Sequence, residues 1–202
     1  MSKKLAVAKT KPAEQARFAS LLIDAIEAAK ANVTREKAKT YQQGISLDAA
    51  KAKLLKLIEN SNEKPVVIKN PRTGEKARLN RKSIGKLLSN KTVGKSTANG
   101  FTEYQHFAVA ADIDNLFRNA TKVITHQDNK KRRSIEAIHR FVAPLFENNA
   151  AFITIRETTE YGNKIYSVEL IELGKLEGKL LDVESNSSSN PATSFPVSNI
   201  QK

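Results

Sequence analysis

Apolar residues recur at helical spacing in residues 13–32, where Phe18, Leu21, Leu22, Ile26 and Ala29 mark one face. The same rhythm returns in residues 46–60, through Leu47, Ala50, Leu54, Leu57 and Ile58. Ser46 suits the start of this second helix, because its hydroxyl can accept a free amide of the first turn. At Pro65 the rhythm changes. Pro-Val-Val-Ile-Lys reads as a short strand, Asn-Pro-Arg-Thr-Gly as a turn and Glu-Lys-Ala-Arg-Leu as a returning strand. Asn80 predicts the cap of a helix over residues 81–89, with Ile84, Leu87 and Leu88 inward. Residues 91–100, rich in Gly, Ser, Thr and Asn, predict a flexible loop. A longer helix is expected from Thr102 to Ala120, with Phe107, Ala110, Ile113, Leu116 and Phe117 on its buried side.

A polar stretch at residues 127–133 precedes three strand-like runs, 135–146, 151–159 and 164–173. Tyr161-Gly162 or Gly162-Asn163 is the natural hairpin tip between the last two. The expected organisation is a flexible basic arm over 1–12, an N-terminal helical region over 13–62 and an α+β domain over 63–174. Residues 184–202, made of Ser, Asn and Pro with little to bury, predict a disordered tail. The fold class is α+β: N-terminal helices followed by a compact helix-plus-antiparallel-sheet (meander) domain.

Charge sharpens this picture. The formal net charge is +13. Residues 1–100 hold 22 basic and 8 acidic side chains, whereas residues 101–202 hold 12 and 13. Residues 64–95 alone carry ten Lys and Arg against one acid, Glu75. Such asymmetry points to a polyanionic partner: nucleic acid first, an acidic protein such as an inhibitor or immunity protein next, an anionic membrane surface third. Arg78, Arg81, Lys82, Lys86, Lys91 and Lys95, with Lys131, Arg132 and Arg133 of the polar stretch, are the candidate nucleic-acid-binding residues.

No cysteine is present, which removes disulfides and thiolate metal sites. The basic first residues contain an apolar run too short for a secretion signal. No apolar stretch approaches the ~18 residues of a membrane span. A cytoplasmic protein without membrane association is expected. No HxxxH, HExxH or GxSxG motif occurs. Gly94-Lys95-Ser96-Thr97 resembles the end of a phosphate loop, but position 89, where such a loop needs Gly, is Ser. Neither a metal nor another cofactor is called for.

Side chains alternate across a strand, and either two-residue tip divides the hairpin the same way. One face should carry Ile153, Ile155, Glu157, Tyr166, Val168 and Leu170. The other should carry Thr154, Arg156, Thr158, Ser167 and Glu169, bordered by Phe152, Ile165 and Ile171. This second, polar face could hold a phosphate, with Arg156 gripping its oxygens bidentately. The plainer alternative is a solvated sheet face with Arg156 and Glu169 as a cross-strand ion pair. Among the histidines, His106 reads as structural or as a helix-surface residue. His126 and His139 are the leading proton-transfer candidates, since imidazole titrates near neutral pH. Metal-free RNA cleavage needs only a base, an acid and cations, because the attacking 2′-hydroxyl belongs to the substrate.

Two blocks of sequence resemble a known group. One is Thr-Gly-Glu-Lys-Ala-Arg-Leu-Asn-Arg-Lys-Ser-Ile-Gly-Lys-Leu-Leu-Ser, followed by His-Phe-Ala-Val-Ala-Ala-Asp-Ile-Asp-Asn-Leu-Phe-Arg-Asn-Ala. The other comprises Ile-His-Arg-Phe-Val-Ala-Pro, Ala-Phe-Ile-Thr-Ile-Arg-Glu and Ile-Tyr-Ser-Val-Glu-Leu-Ile-Glu. Over about residues 64–173 they look like the phage-associated domains of the barnase–EndoU–colicin–RelE-like nuclease group, found in large polyvalent proteins of mobile elements. The resemblance implies a helix-plus-antiparallel-sheet fold, an active site on the sheet and metal-independent RNA cleavage, RNA being favoured over DNA. It implies catalytic positions at His126, His139, Arg156 and Tyr166, to which Thr158 is added from the polar face. By parity Tyr166 faces away from Arg156, so either the hairpin has an odd loop or Tyr166 is packing.

Overall fold

The computed structural model describes residues 33–61, 65–128 and 134–176. Helix α1 (Arg35–Gln43) opens on Thr34, and α2 (Leu47–Glu59) on Ser46, whose hydroxyl accepts from the Ala49 amide as expected. Strands β1 (Val66–Lys69) and β2 (Lys76–Leu79) form a hairpin. Four helices follow: α3 (Arg81–Leu87), α4 (Asn90–Ala98), α5 (Glu103–Ala110) and α6 (Ile113–Asn119). Strands β3 (Thr121–His126), β4 (Ala137–Pro144), β5 (Asn149–Glu160) and β6 (Asn163–Lys175) complete the regular structure of the described residues.

The six strands form one sheet in the order β1-β2-β6-β5-β4-β3. Every neighbouring pair is antiparallel except β2 and β6, which run parallel and meet at a single register point, Arg78 opposite Ser167. The class is α+β, with the antiparallel meander extended by β3. Helices cover one side of the sheet. Leu54, Leu87, Phe107 and Phe117 share a core with Ile68, Leu79, Phe141, Ile153 and Ile171, so the helices before β1 pack on the same core as those after it. A smaller cluster, including Val123, Val142 and Phe152, lies on the sheet's other side.

Gly44 ends α1 because only glycine fits there. Its φ is +75°, and a Cβ would lie 2.5 Å from the carbonyl carbon of Tyr104. That close approach lets the Ile45 amide donate to the Tyr104 carbonyl at 3.0 Å and fixes α1 against α5.

Three expectations are corrected. Residues 91–100 are not a loop, since α4 occupies most of them. Tertiary contacts overrule the weak propensity: the Thr92 hydroxyl lies 2.9 Å from the Leu87 carbonyl oxygen, and Ser96 is wholly buried. The helix from Thr102 to Ala120 is two helices, broken where the Asp112 carboxylate collects Tyr41, Lys37 and Asn115 at 2.5, 3.1 and 3.2 Å. Finally, a bulge in the β5–β6 pairing shifts the parity of β6 beyond Val168. Ile171 therefore joins the helix-side core, and Leu170 sits opposite Thr154 on the other face. The arm over 1–12, the helix over 13–32 and the tail over 184–202 lie outside the described residues.

Candidate active site

The hairpin tip is Tyr161-Gly162, both at positive φ (50° and 77°), with Glu160 opposite Asn163. An even loop puts Tyr166 opposite Glu157 and Ser167 opposite Arg156. Tyr166 and Arg156 therefore point to opposite faces, as parity predicted. The tip also decides which side chains Tyr166 joins.

On the helix side, toward the hairpin tip, four adjacent strands bring together Thr125 (β3), His139 (β4), Glu157 (β5), and Lys164 and Tyr166 (β6). The Thr125 hydroxyl oxygen is 2.9 Å from His139 Nδ1, and His139 Nε2 is 2.8 Å from Glu157 Oε2. Lys164 Nζ lies 2.6 Å from the carboxylate's other oxygen, Oε1. The ring centres of His139 and Tyr166 are 5.6 Å apart. His139 and Glu157 are only 5% and 4% exposed, whereas Thr125 and Lys164 reach solvent. The arrangement is a carboxylate–imidazole–hydroxyl relay: with Nε2–H donating to Glu157, Nδ1 presents its lone pair to a hydroxyl.

Burial by itself would raise the Glu157 carboxyl pKa. The hydrogen bonds from Lys164 and His139, with their charges, outweigh it and hold Glu157 below the ordinary carboxylate range. Lys164 is raised in turn, chiefly by its hydrogen bond to Glu157. Tyr166 is raised by burial and by the Glu157 charge, so its phenol stays protonated near neutrality. Close by, Lys122 Nζ contacts Glu75 Oε1 at 2.5 Å.

The structure thus brings two of the five catalytic candidates, His139 and Tyr166, into one cluster. The other three lie on the opposite face. His126, at the end of β3, has Nδ1 2.7 Å from the Gln127 carbonyl oxygen and receives Arg140 Nε at 3.4 Å. Thr158 is buried, its hydroxyl donating to the Ile165 carbonyl at 3.4 Å. Arg156 sits 3.7 Å from Glu169 Oε2, which Lys86 also holds at 2.5 Å. The cross-strand ion pair is therefore present, while Arg156 Nε is buried without a hydrogen-bond partner.

Two of the candidate cations are engaged by acids: Lys86 by Glu169, and Lys95 by Glu172 at 3.5 Å. Arg78, Arg81, Lys82 and Lys91 are exposed. Lys131, Arg132 and Arg133 lie outside the described residues. Among the described residues, no group of three His, Cys, Asp or Glu is placed to hold a metal. Nor is any helix among them long and apolar enough to cross a membrane.

Sequence reasoning missed Glu157, Lys164 and Thr125. The signal for Glu157 was present: alternation put one carboxylate on an otherwise apolar face, and a buried carboxylate requires partners. His106 is structural. It is wholly buried, with Nε2 2.8 Å from the Leu87 carbonyl oxygen and Nδ1 2.8 Å from the Ser96 hydroxyl, which accepts from the Leu173 amide.

A family model described as large polyvalent protein-associated domain 3 matches residues 45–166. The match takes in α2, which lies N-terminal to the region read as resembling such domains. No curated protein and no solved structure matches the chain.

Proposed function

The chain belongs to the large polyvalent protein-associated domain 3 family, and we propose that it is a metal-independent, RNA-cleaving nuclease of a phage or mobile element, acting in the cytoplasm. One observation carries the reading. The His139 imidazole is clamped by Glu157, presents its second nitrogen to a hydroxyl, and lies beside a protonated phenol and an ammonium.

In this reading a ribose 2′-hydroxyl takes the position that the Thr125 hydroxyl holds in the free protein. His139 Nδ1 removes its proton, and Glu157 stabilises the imidazolium that forms. The 2′-oxygen bonds to phosphorus and the bond from phosphorus to the 5′-oxygen breaks. Tyr166 gives the departing 5′-oxygen its proton, while Lys164 faces the phosphorane charge. The products are a 2′,3′-cyclic phosphate and a 5′-hydroxyl. DNA, lacking the 2′-hydroxyl, is not cut.

A non-catalytic nucleic-acid-binding accessory protein is the second reading. It is favoured by the closed bonding of His139, both of whose ring nitrogens already have partners. Incubating the protein with RNA in EDTA separates the two. The nuclease reading expects 2′,3′-cyclic phosphate ends, with His139→Ala slower by roughly 10²–10⁴-fold, as expected when a general acid or base is removed. Absence of cleavage on every RNA, tRNA included, selects the binder. Cleavage unchanged in His139→Ala moves the active site elsewhere. An acidic inhibitor or immunity protein would be a further partner, meeting the same positive surface.

A further inference from the structure

Strands β2 and β6 join at one register point, Arg78 opposite Ser167. On the side of that point toward the start of β6 they separate, and an open cleft lies between them. Lys76, Arg78 and the Glu75 turn form one wall; Lys164, Ile165 and Tyr166 form the other. Glu75 is the acid of this lining, and its charge is met by Lys122 at 2.5 Å. Lys76 and Arg78 are exposed, and neither takes part in any of the ion pairs found among the described residues. The cleft is thus positive, and Tyr166 contributes to one of its walls. The Tyr166 ring stands 5.6 Å from His139 on the relay's face. Arg78, in register with Ser167, projects with Lys76 to the face that carries Arg156. The cleft therefore lies where the strands part, with Lys76 and Arg78 on one face and the ring on the other.

We propose that this cleft is the binding track for single-stranded RNA, with Lys76 and Arg78 on the phosphates and Tyr166 stacking an unpaired base. Three features favour this ligand. Adjacent cations on an exposed strand suit successive phosphates of a chain rather than one enclosed anion. A half-buried tyrosine at the edge of a cationic cleft suits a base splayed out of a stack. A base stacked on Tyr166 would bring its ribose toward His139. The inference rests on the RNA-directed reading above and adds the strand's path to it.

The test is fluorescence anisotropy with a single-stranded oligoribonucleotide carrying 2′-O-methyl groups, so that cleavage cannot consume it. Lys76→Ala with Arg78→Ala should weaken binding at least tenfold and flatten the slope of log affinity against log salt by roughly 0.7 for each phosphate that is no longer neutralised. Tyr166→Ala should weaken it by roughly 5- to 100-fold, with Tyr166→Phe near wild type, because stacking needs the ring and not the hydroxyl. Lys51→Ala, on the exposed side of α2, should bind as wild type.

Unchanged affinity in the Lys76/Arg78 double variant overturns the track, above all if Arg81→Ala with Lys82→Ala on α3 does weaken binding. Failure of the wild type to bind any oligonucleotide, or binding only to an acidic protein, overturns it as well. Failures of track and chemistry are distinguishable. His139→Ala should lose cleavage and keep affinity, and a chain that binds through Lys76 and Arg78 without cutting leaves the track standing while the nuclease reading falls.

Discussion

His139 Nε2 and Glu157 Oε2 stand 2.8 Å apart on adjacent strands, diagonal in register and both almost out of water. Lys164 holds the other oxygen of Glu157 at 2.6 Å. Each partner has a reason to be there that disappears if the other is removed, since a buried charge or donor without a partner is costly.

His139→Leu should destabilise the fold by roughly 1–3 kcal/mol, the usual cost of leaving a buried polar group unpaired. The loss should exceed what the added apolar area returns. Chemical denaturation read by circular dichroism would measure it, and a variant as stable as wild type would show that the pair contributes nothing to the fold.

Glu157 also predicts an acid limb. Its pKa is lower in the folded state than the ordinary value of 4.5, so its stabilisation is complete above pH 4.5 and disappears as pH falls through the folded value. Melting temperatures of wild type and Glu157→Gln should therefore converge below pH 4.5. Parallel curves down to pH 3 would contradict the assignment.

His106 predicts a second pH effect at higher pH. Burial lowers its pKa below 6.5, so folding holds it neutral, and stability is complete above pH 6.5 and declines as pH drops below that value. In His106→Gln this step should be missing from the melting profile between pH 7 and 5. A profile that keeps the step would trace it to another group.

Gly44 and Gly74 have nearly the same backbone angle, φ +75° and +73°, but different surroundings. Ala at either position bears the left-handed strain of roughly 1–2 kcal/mol. Only at Gly44 does the new methyl also meet the Tyr104 backbone, whereas nothing lies near it at Gly74. Gly44→Ala should consequently lose clearly more stability than Gly74→Ala, and equal losses would refute the close packing of α1 on α5.

Thr92→Val keeps the shape of the side chain and removes the hydroxyl that ties the start of α4 to the end of α3. A loss of roughly 1–2 kcal/mol is expected, with faster amide exchange confined to α4. Exchange accelerated uniformly across the chain would mean that the hydroxyl does not anchor this helix in particular.

Local chemistry was readable directly. Ser46, Asn80 and Thr102 cap their helices because each places a side-chain acceptor before an apolar-periodic run. The hairpin between β5 and β6 followed from alternation and a Gly at the tip. What failed depended on residues distant in sequence. Residues 90–98 have poor helical propensity, and they are helical because Ser96 packs beneath His106 and Thr92 bonds to Leu87. β3 lacks a clean alternation, and pairs with β4 through a shift in register.

The amino-acid sequence alone determined the α+β class, most element starts and the separation of Tyr166 from Arg156, because capping and alternation act over a few residues. Only the tertiary structure decided which candidates meet. The order of six strands set Thr125, His139, Glu157 and Tyr166 side by side from four separate parts of the chain. It sent Arg156, Thr158 and His126 to the other face. Strand order and bulges arise from packing of the whole sheet, and no local pattern encodes them.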